Sequence, residues 1–228
     1  MSLYLWINLL SFAAPFALSF DKKVAFYKHW ITLFPAIVIV GSGFIAWDVY
    51  FTAHGIWGFN PTYLSGINVF NLPLEECLFF FTVPYACVFI YACVKAYFPK
   101  VNPVQLSYWF ALLFSLSGIV LAVIFRQNWY TFSALLGAAL INMIVYFGWT
   151  PTWYPKFMLS FLITTIPFLI VNGVLTGIAT PEPVVWYNEA HIMGPRIFTI
   201  PVEDFFYNFF MLFPIVLIHE SLRKRFKR

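Results

Sequence analysis

Charged residues are scarce in this chain, which has 13 Lys and Arg and 9 Asp and Glu among its 228 residues. A soluble chain of this length would carry about 57 charged residues, since roughly a quarter of an average sequence is charged. No polar stretch is long enough to fold as a separate soluble domain. The composition therefore excludes a soluble globular protein, a disordered chain and a soluble domain held by one membrane helix. It also predicts no nucleic-acid partner.

Cysteine is also scarce, and its spacing indicates no metal site. Cys77, Cys87 and Cys93 lie in one apolar run, and neither their odd number nor their spacing matches a metal-binding pattern. We interpret them as small apolar residues of a helix. The sequence thus predicts no metal-binding residues.

Long apolar runs are abundant, and 62% of the residues are hydrophobic. A helix that crosses a bilayer needs about 20 apolar residues, and backbone in lipid must be helical to satisfy its own hydrogen bonds. The sequence therefore predicts an all-α polytopic membrane protein with seven transmembrane helices. The predicted spans are residues 3–19, 30–48, 75–98, 106–125, 129–149, 157–178 and 203–222.

The basic residues predict the orientation of these helices, because Lys and Arg concentrate in cytoplasmic loops. With the N-terminus outside the cell membrane, the inner segments carry eleven basic residues and the outer segments only Arg126 and Arg196. Lysines follow residues 3–19 instead of preceding them, which is the reverse of a secretory signal and indicates a retained first span. We therefore expect a cytoplasmic C-terminus whose basic tail, residues 223–228, contacts anionic lipid.

The chain also repeats itself. Shifting residues 60–100 forward by 128 positions gives nine identities in 41 residues and places Glu76 opposite Asp204. Further upstream the shift becomes 132, which pairs Asp48 with Thr180. The pattern predicts a 3+1+3 arrangement, with halves related by an axis along the membrane normal. The predicted units are residues 1–100 and 128–228, each of three helices, joined by a linker helix within residues 101–127.

Four of the nine acids occur in two copies of one pattern, each at the start of a predicted helix. The copies are PLEE at residues 73–76 and PVED at residues 201–204. Such acids can simply stabilise a helix N-terminus. One acid is enough for that, however, and adjacent helical residues point about 100° apart. We expect one acid of each pair to face the bundle interior, where phenylalanine-rich surroundings favour a neutral carboxyl group that can donate a proton.

The duplicated pattern P-x-E-[ED]-x-x-[FY], together with the segment WGFNP at residues 57–61 and the tandem halves, resembles the lycopene cyclase domain family. These proteins are small integral-membrane carotenoid cyclases, and the chain resembles their fused two-repeat form. The second copy departs at Tyr207-Asn208, where the first has Phe79-Phe80. The resemblance implies cyclisation of lycopene ends to β-ionone rings, giving γ- and β-carotene. The implied reaction is a non-redox isomerisation by acid–base chemistry through a carbocation, which aromatic rings can stabilise.

The resemblance also implies site residues. The implied catalytic residues are Glu75, Glu76, Glu203 and Asp204, and we rank Glu75 and Glu203 first because they are identical across the repeat. The implied substrate-binding residues are Trp57, Asn60, Phe79, Tyr207 and Asn208.

We expect no cofactor. The larger flavoprotein lycopene cyclases carry a dinucleotide fingerprint, and here Gly41-Ser42-Gly43 lies in an apolar span without a third glycine. The expected partners are a carotenoid, lycopene, taken from the bilayer, and membrane lipid. Assembly into a homo-oligomer is left open.

Other polar residues have less specific interpretations. Asp48 is expected as a water-exposed acid at a helix end, and Arg196 either pairs with an acid of the second copy or lies on the surface. Asn208 either orients the second acid of that copy or bonds a neighbouring helix. His219 and Glu220 are expected at the membrane interface beside the basic tail.

The main alternative is a 3+1+3 parallel-repeat transporter whose duplicated acids bind a proton or a cationic solute. Transporters often place such groups near the midplane at broken helices. Here the acids are predicted at outer helix ends, which favours the enzyme. The sequence leaves open the exact carotenoid, whether one or both ends are cyclised, the ring type, and which acid donates the proton.

Overall fold

The structure, a computed structural model, describes residues 2–226. Within that range the chain forms seven α-helices, as the apolar runs predict. They are α1 (Leu3–Leu18), α2 (Trp30–Ala53), α3 (Leu74–Tyr97), α4 (Val104–Ile124), α5 (Trp129–Trp149), α6 (Tyr154–Leu175) and α7 (Glu203–Phe226). Lys227 and Arg228 of the predicted basic tail lie outside the described residues.

In the described part of the chain, α2 to α7 are long and apolar enough to cross a membrane. Helix α1 is equally apolar but has 16 residues, or about 24 Å at 1.5 Å per residue, against a hydrocarbon core of about 30 Å. The fold is therefore that of an all-α polytopic membrane protein, with α1 as its shortest helix.

The packing of the helices is reciprocal between the two halves. Helix α1 packs on α3 and α5 packs on α7, while α2 crosses to α7 and α6 crosses to α3. Helix α4 connects the halves and packs mainly on α5. This arrangement confirms the internal repeat and interleaves the two halves into one bundle.

A short strand from each half joins them at one end of the bundle. Strand β1 (Trp57–Phe59) pairs antiparallel with β4 (Val185–Tyr187), with Trp57 opposite Tyr187 and Phe59 opposite Val185. A shift of 128 positions takes Trp57 to Val185 and Phe59 to Tyr187, so that each of these two residue pairs maps onto the other. A two-fold axis between the halves requires this exchange. Gly58 lies at the crossing, where an added Cβ would come within 2.3 Å of the Trp186 ring. Only glycine fits there without displacing that ring.

Two hairpins at the same end lead into the acidic helices. Strands β2 (Asn68–Val69) and β3 (Leu72–Pro73) precede α3, and strands β5 (Arg196–Ile197) and β6 (Ile200–Pro201) precede α7. Their tips carry Phe70 and Phe198, both in the left-handed region with φ of 58° and 57°. Since L-residues rarely adopt this conformation, its presence in both halves shows that the repeat extends to backbone detail.

The opposite end of the bundle contains a buried ionic cluster. Glu220 accepts hydrogen bonds from Lys95 Nζ at 2.6 Å and from Tyr91 Oη at 3.0 Å, and His219 Nδ1 lies 3.0 Å from Thr32 Oγ1. Both side chains are buried between helices, directly before the basic last turn of α7, and the expectation that they lie at the membrane interface stays a prediction. The cluster fastens α7 to α2 and α3.

Candidate active site

A cavity of about 420 Å³ opens near the end of the bundle where the strands meet. Its walls come from both halves: α1, α2 and α3 of the first, α5, α6 and α7 of the second, and the paired strands β1 and β4. Most of the lining side chains are aliphatic or aromatic. The site is thus a largely apolar space in which a few polar groups are concentrated at one end.

Glu76 and Asp204, which correspond across the repeat, both line this cavity. They are almost fully buried, with 8% and 3% of their surface exposed. Each lies in the first turn of its helix, where the free backbone amides stabilise a carboxyl group. The two halves of the protein therefore present one acid each to a single shared space.

The hydrogen bonds to these two acids differ. Glu76 Oε2 accepts one from Tyr4 Oη at 2.6 Å. Asp204 accepts three, at 2.5 Å from Tyr130 Oη, 2.9 Å from Asn172 Nδ2 and 3.0 Å from Tyr187 Oη. An ionised carboxylate only accepts hydrogen bonds, so a ring of three donors suits the ionised form of Asp204. The two acids therefore have unlike environments despite their repeat symmetry.

Glu75 and Glu203 point away from the cavity and bind the hairpin loops. Glu75 Oε1 accepts hydrogen bonds at 2.6 Å from both Ser2 Oγ and the Ser65 amide. Glu203 Oε1 accepts one from Thr131 Oγ1 at 2.5 Å and another from the amide of Met193. As expected from the 100° between adjacent helical residues, one acid of each pair lines the cavity and the other binds a loop. The two residues ranked first from the sequence are the ones outside the cavity.

Asp48 is a third carboxyl group of the cavity. Only 2% of its surface is exposed, so the expectation of a water-exposed acid is wrong. Helix α2 continues to Ala53, which places Asp48 inside the helix and against α3, where its carboxyl group contacts that of Glu76. The hydropathy of the run could not show this, because the sequence alone does not locate the end of the helix.

Asn172 makes in the second half the kind of contact that Asp48 makes in the first, because each lies near the end of its helix and contacts the cavity acid of its own half. The alignment that pairs Asp48 with Thr180 is not followed by the structure. Helix α6 ends at Leu175, so Thr180 lies in the loop.

Three tyrosines that bind the cavity acids also lie outside the sequence motifs and were not predicted, namely Tyr4, Tyr130 and Tyr187. Nothing in their local sequence indicates contact with distant acids. Tyr4 and Tyr130 lie in apolar runs far from the motifs in sequence, and Tyr187 lies in the loop before the second motif. Many other aromatic residues of this chain have such positions.

Four of the five residues expected to bind substrate line the cavity, namely Trp57, Phe79, Tyr207 and Asn208. The fifth, Asn60, does not. Its side chain accepts a hydrogen bond from the Thr62 amide at 3.0 Å and donates one to Glu182 Oε2 at 2.9 Å, so it shapes the loop.

Arg196 does not reach the acids of α7. It donates to Glu189 Oε1 at 2.7 Å and to the Thr199 carbonyl at 2.8 Å. The donors that surround Asp204 are neutral side chains, and the lining residues of the described cavity include no Lys, Arg or His. The cavity wall therefore carries no basic residue, and the charge of Arg196 acts on Asp204 from outside that wall.

Aromatic rings surround the acidic end of the cavity. Tyr130 stacks on Tyr187 with their ring centroids 5.7 Å apart, and Trp57 meets Tyr130 edge-on at 5.1 Å. Tyr207 completes the group 5.9 Å from Tyr130. Burial and the neighbouring Asp204 raise the pKa of Tyr187, so its hydroxyl group stays a hydrogen-bond donor at neutral pH. Such rings can stabilise a cation placed between them.

The cavity is elongated and reaches the lipid-facing surface. On α3 its lining extends from Glu76 to Ile90, which corresponds to about 21 Å along a helix. Leu10 of α1 and Pro167 of α6 are lining residues that are also exposed, Leu10 by 66% of its surface. The space therefore opens sideways between α1 and α6.

Among the described residues no group of His, Cys, Asp and Glu could hold a metal ion.

Comparison with known families agrees with this geometry. A family model described as lycopene cyclase matches residues 1–94 and 127–222, which together form most of the chain. The first matched segment covers α1, α2 and most of α3, and the second covers α5, α6 and most of α7, with α4 between them. No curated protein and no solved structure matches the chain. The family match favours an enzyme over the transporter alternative.

Proposed function

Because the chain belongs to the lycopene cyclase family and is thus a carotenoid cyclase, we propose that it is a lycopene β-cyclase. It converts the ψ-ends of lycopene to β-ionone rings, giving γ-carotene and then β-carotene. The reaction is an isomerisation with no net redox change. The observation that carries this proposal is that Glu76 and Asp204 face one apolar cavity, so a single end group in that cavity has access to both.

The chemistry needs one acid and one base. The acid protonates the CH carbon of the terminal double bond, and the electron pair of that bond forms the new C–H bond. The resulting tertiary cation is attacked by the next double bond along the chain, which closes the six-membered ring and moves the cation to a ring carbon. Loss of a proton from the ring carbon that carries the polyene chain then forms the β-ring double bond. Protons gained and lost balance, as an isomerisation requires.

We assign the acid to Glu76 and the base to Asp204. The three donors around Asp204 suit a carboxylate that is ionised before the reaction and can accept a proton. Glu76 has one such donor, Tyr4. The aromatic group formed by Trp57, Tyr130, Tyr187 and Tyr207 adjoins both acids and would stabilise the cation between the two proton transfers.

The shape of the cavity supports a substrate taken from the bilayer. Lycopene is a long hydrocarbon that is soluble in lipid and not in water. The lateral opening at Leu10 and Pro167 connects the cavity with the lipid-facing surface. The elongated space along α3 can hold the polyene chain while one end group reaches the acids.

Expression in a bacterium that accumulates lycopene tests the function. We expect chromatography of the pigments to show conversion of lycopene to one-ringed and two-ringed products with β-rings. A strain that expresses the Glu76→Gln variant at the same membrane abundance is the matched control and should retain lycopene. Unchanged lycopene with the wild-type protein inserted in the membrane would contradict the proposal, and ε-rings would contradict the β-assignment.

We further propose that the acidic end of the bundle faces outward in the cell membrane and that the C-terminus is cytoplasmic. The distribution of basic residues supports this orientation. In a variant without the three native cysteines, a cysteine placed at Phe70 should react with a membrane-impermeant maleimide added outside intact cells. A cysteine placed at Lys100, at the other end of the bundle, should react only after lysis. The reverse pattern would overturn the orientation.

A further inference from the structure

Asp48 is the cavity acid that the duplicated motif does not include. Its carboxyl group contacts that of Glu76. Among the described residues, its Oδ2 atom meets no N–H or O–H donor although it is buried. A buried carboxyl oxygen without a donor is unfavourable. Glu75 and Glu203 each have one such oxygen as well, but only Asp48 of the three lines the cavity and contacts a second carboxyl group there.

We propose that Asp48 and Glu76 act together as the acid of the reaction, as a carboxyl pair that holds one proton between them. This inference rests on the proposed cyclase function. A contact between two carboxyl groups is a hydrogen bond only when one of them carries a proton, since an ionised carboxylate has no donor. The pair is therefore a place where a proton is kept until the substrate arrives.

The surroundings of the pair favour this state. The titratable groups that face it are Tyr4 from α1, Cys77 from α3, Tyr187 from β4, and Tyr207 and Asp204 from α7. None of these groups can carry a positive charge. Two carboxylates in contact, with no basic residue on the cavity wall, repel each other strongly, and retention of one proton removes that repulsion.

The second half of the protein provides an internal comparison. There the residue from the neighbouring helix that contacts the cavity acid is Asn172, whose amide donates to Asp204 Oδ2 at 2.9 Å. An amide cannot share an acidic proton with its neighbour, and it stabilises the ionised carboxylate. One difference, Asp in the first half and Asn in the second, thus makes a duplicated site into an acid on one side and a base on the other.

The proton transfers of one reaction cycle leave the protein unchanged. The pair gives its proton to the CH carbon of the terminal double bond and is left with two negative charges, which face the new carbocation and attract it. After ring closure Asp204 takes the proton that the ring loses. Asp204 then releases a proton to water at this end of the bundle and the pair takes one up, so that both groups return to their starting states.

The pH dependence of the Asp48→Asn variant tests the pair. The introduced amide would donate to Glu76 as Asn172 donates to Asp204, so Glu76 would take up a proton only at lower pH. We expect the cyclisation rate at neutral pH to fall about tenfold or more, within the range of general acid catalysis. The activity should be regained on acidification, with the alkaline limb of the pH profile shifted down by about one pH unit or more. Glu189→Gln, at an exposed loop acid, is the control.

Several outcomes would overturn the carboxyl pair. An unshifted alkaline limb in Asp48→Asn would do so, and so would an equal loss of rate at every pH, which indicates a structural role. Asp48→Ser is the second carboxyl-free variant if Asp48→Asn does not insert into the membrane, and the same shift is expected of it. If the wild-type protein makes no cyclic product, the cyclase function itself is contradicted. If the wild-type protein makes cyclic products but the alkaline limb of the variant does not shift, the cyclase function is retained and the carboxyl pair is rejected.

Discussion

Replacing Glu76 by glutamine should lower the rate of lycopene cyclisation by about 100-fold or more, because the general acid contributes about 10²–10⁴-fold. Glutamine keeps the shape of the side chain and can accept the hydrogen bond from Tyr4, but it has no proton to give. The measurement is the initial rate of product formation in lipid vesicles that contain lycopene, expressed per amount of inserted protein. All ring products should decrease in proportion, since protonation precedes ring closure.

The neighbouring residue provides the matched control for this variant. Glu75→Gln makes the same chemical change one position earlier, on a side chain that binds Ser2 and the Ser65 amide outside the cavity. Its buried Oε2 meets no donor among the described residues, so an NH₂ group there lacks an acceptor and costs about 1–3 kcal/mol of stability. We expect Glu75→Gln to unfold more readily yet to keep its rate per inserted molecule. Equal rates for Glu76→Gln and Glu75→Gln would contradict the assignment of the acid.

Replacing Asp204 by asparagine should also lower the rate by about 100-fold, again from the range for general acid–base groups, but with a different product pattern. The acid remains, so the ring still closes and the cation forms. Without the carboxylate no group is in position to remove the proton from the ring carbon, and the cation loses other protons or is captured by water. The remaining product should therefore contain a larger share of rings other than β. Chromatography of products from the same vesicle assay measures both effects.

Glu203→Gln is the matched control for Asp204→Asn. Glu203 binds Thr131 and the Met193 amide outside the cavity. Its replacement should therefore affect the position of the loop and not the reaction. We expect its rate and ring pattern per inserted molecule to remain close to wild type. A wild-type ring pattern in Asp204→Asn, together with a wild-type rate, would show that another group is the base.

The repeat and the acid motif illustrate how far the sequence leads. Identities at a shift of 128 positions predict two equivalent halves, and the PLEE and PVED motifs predict an acid at the head of α3 and of α7. The pattern also predicts that one acid of each pair faces inward. It does not predict which one, because a rotation of the helix by about 100° exchanges them. That rotation is decided by the packing of α3 on α1 and α6, and of α7 on α5 and α2.

The hydrogen-bond partners of the acids could not be predicted from the sequence for a similar reason. Tyr130 and Asp204 are 74 positions apart, and Tyr4 and Glu76 are 72 positions apart. Their contacts depend on how whole helices meet. Asp48 and Asn172 make analogous contacts with the two cavity acids but are not paired by the alignment, since α6 ends before the position that the alignment pairs with Asp48. Local hydropathy does not distinguish an apolar loop from the last turn of a membrane helix.

The sequence by itself determined the properties that follow from local composition: a membrane-embedded all-α chain, seven helices, an internal repeat and the family motif. Lipid permits few backbone structures, so a run of apolar residues is enough to predict a helix. The tertiary structure decided which residues meet. The side chains of Glu76, Asp204 and Asp48 face the shared cavity, whereas those of Glu75 and Glu203 bind the loops. The reason is geometric, because the face that a helix shows to its neighbours depends on contacts between segments far apart in the chain.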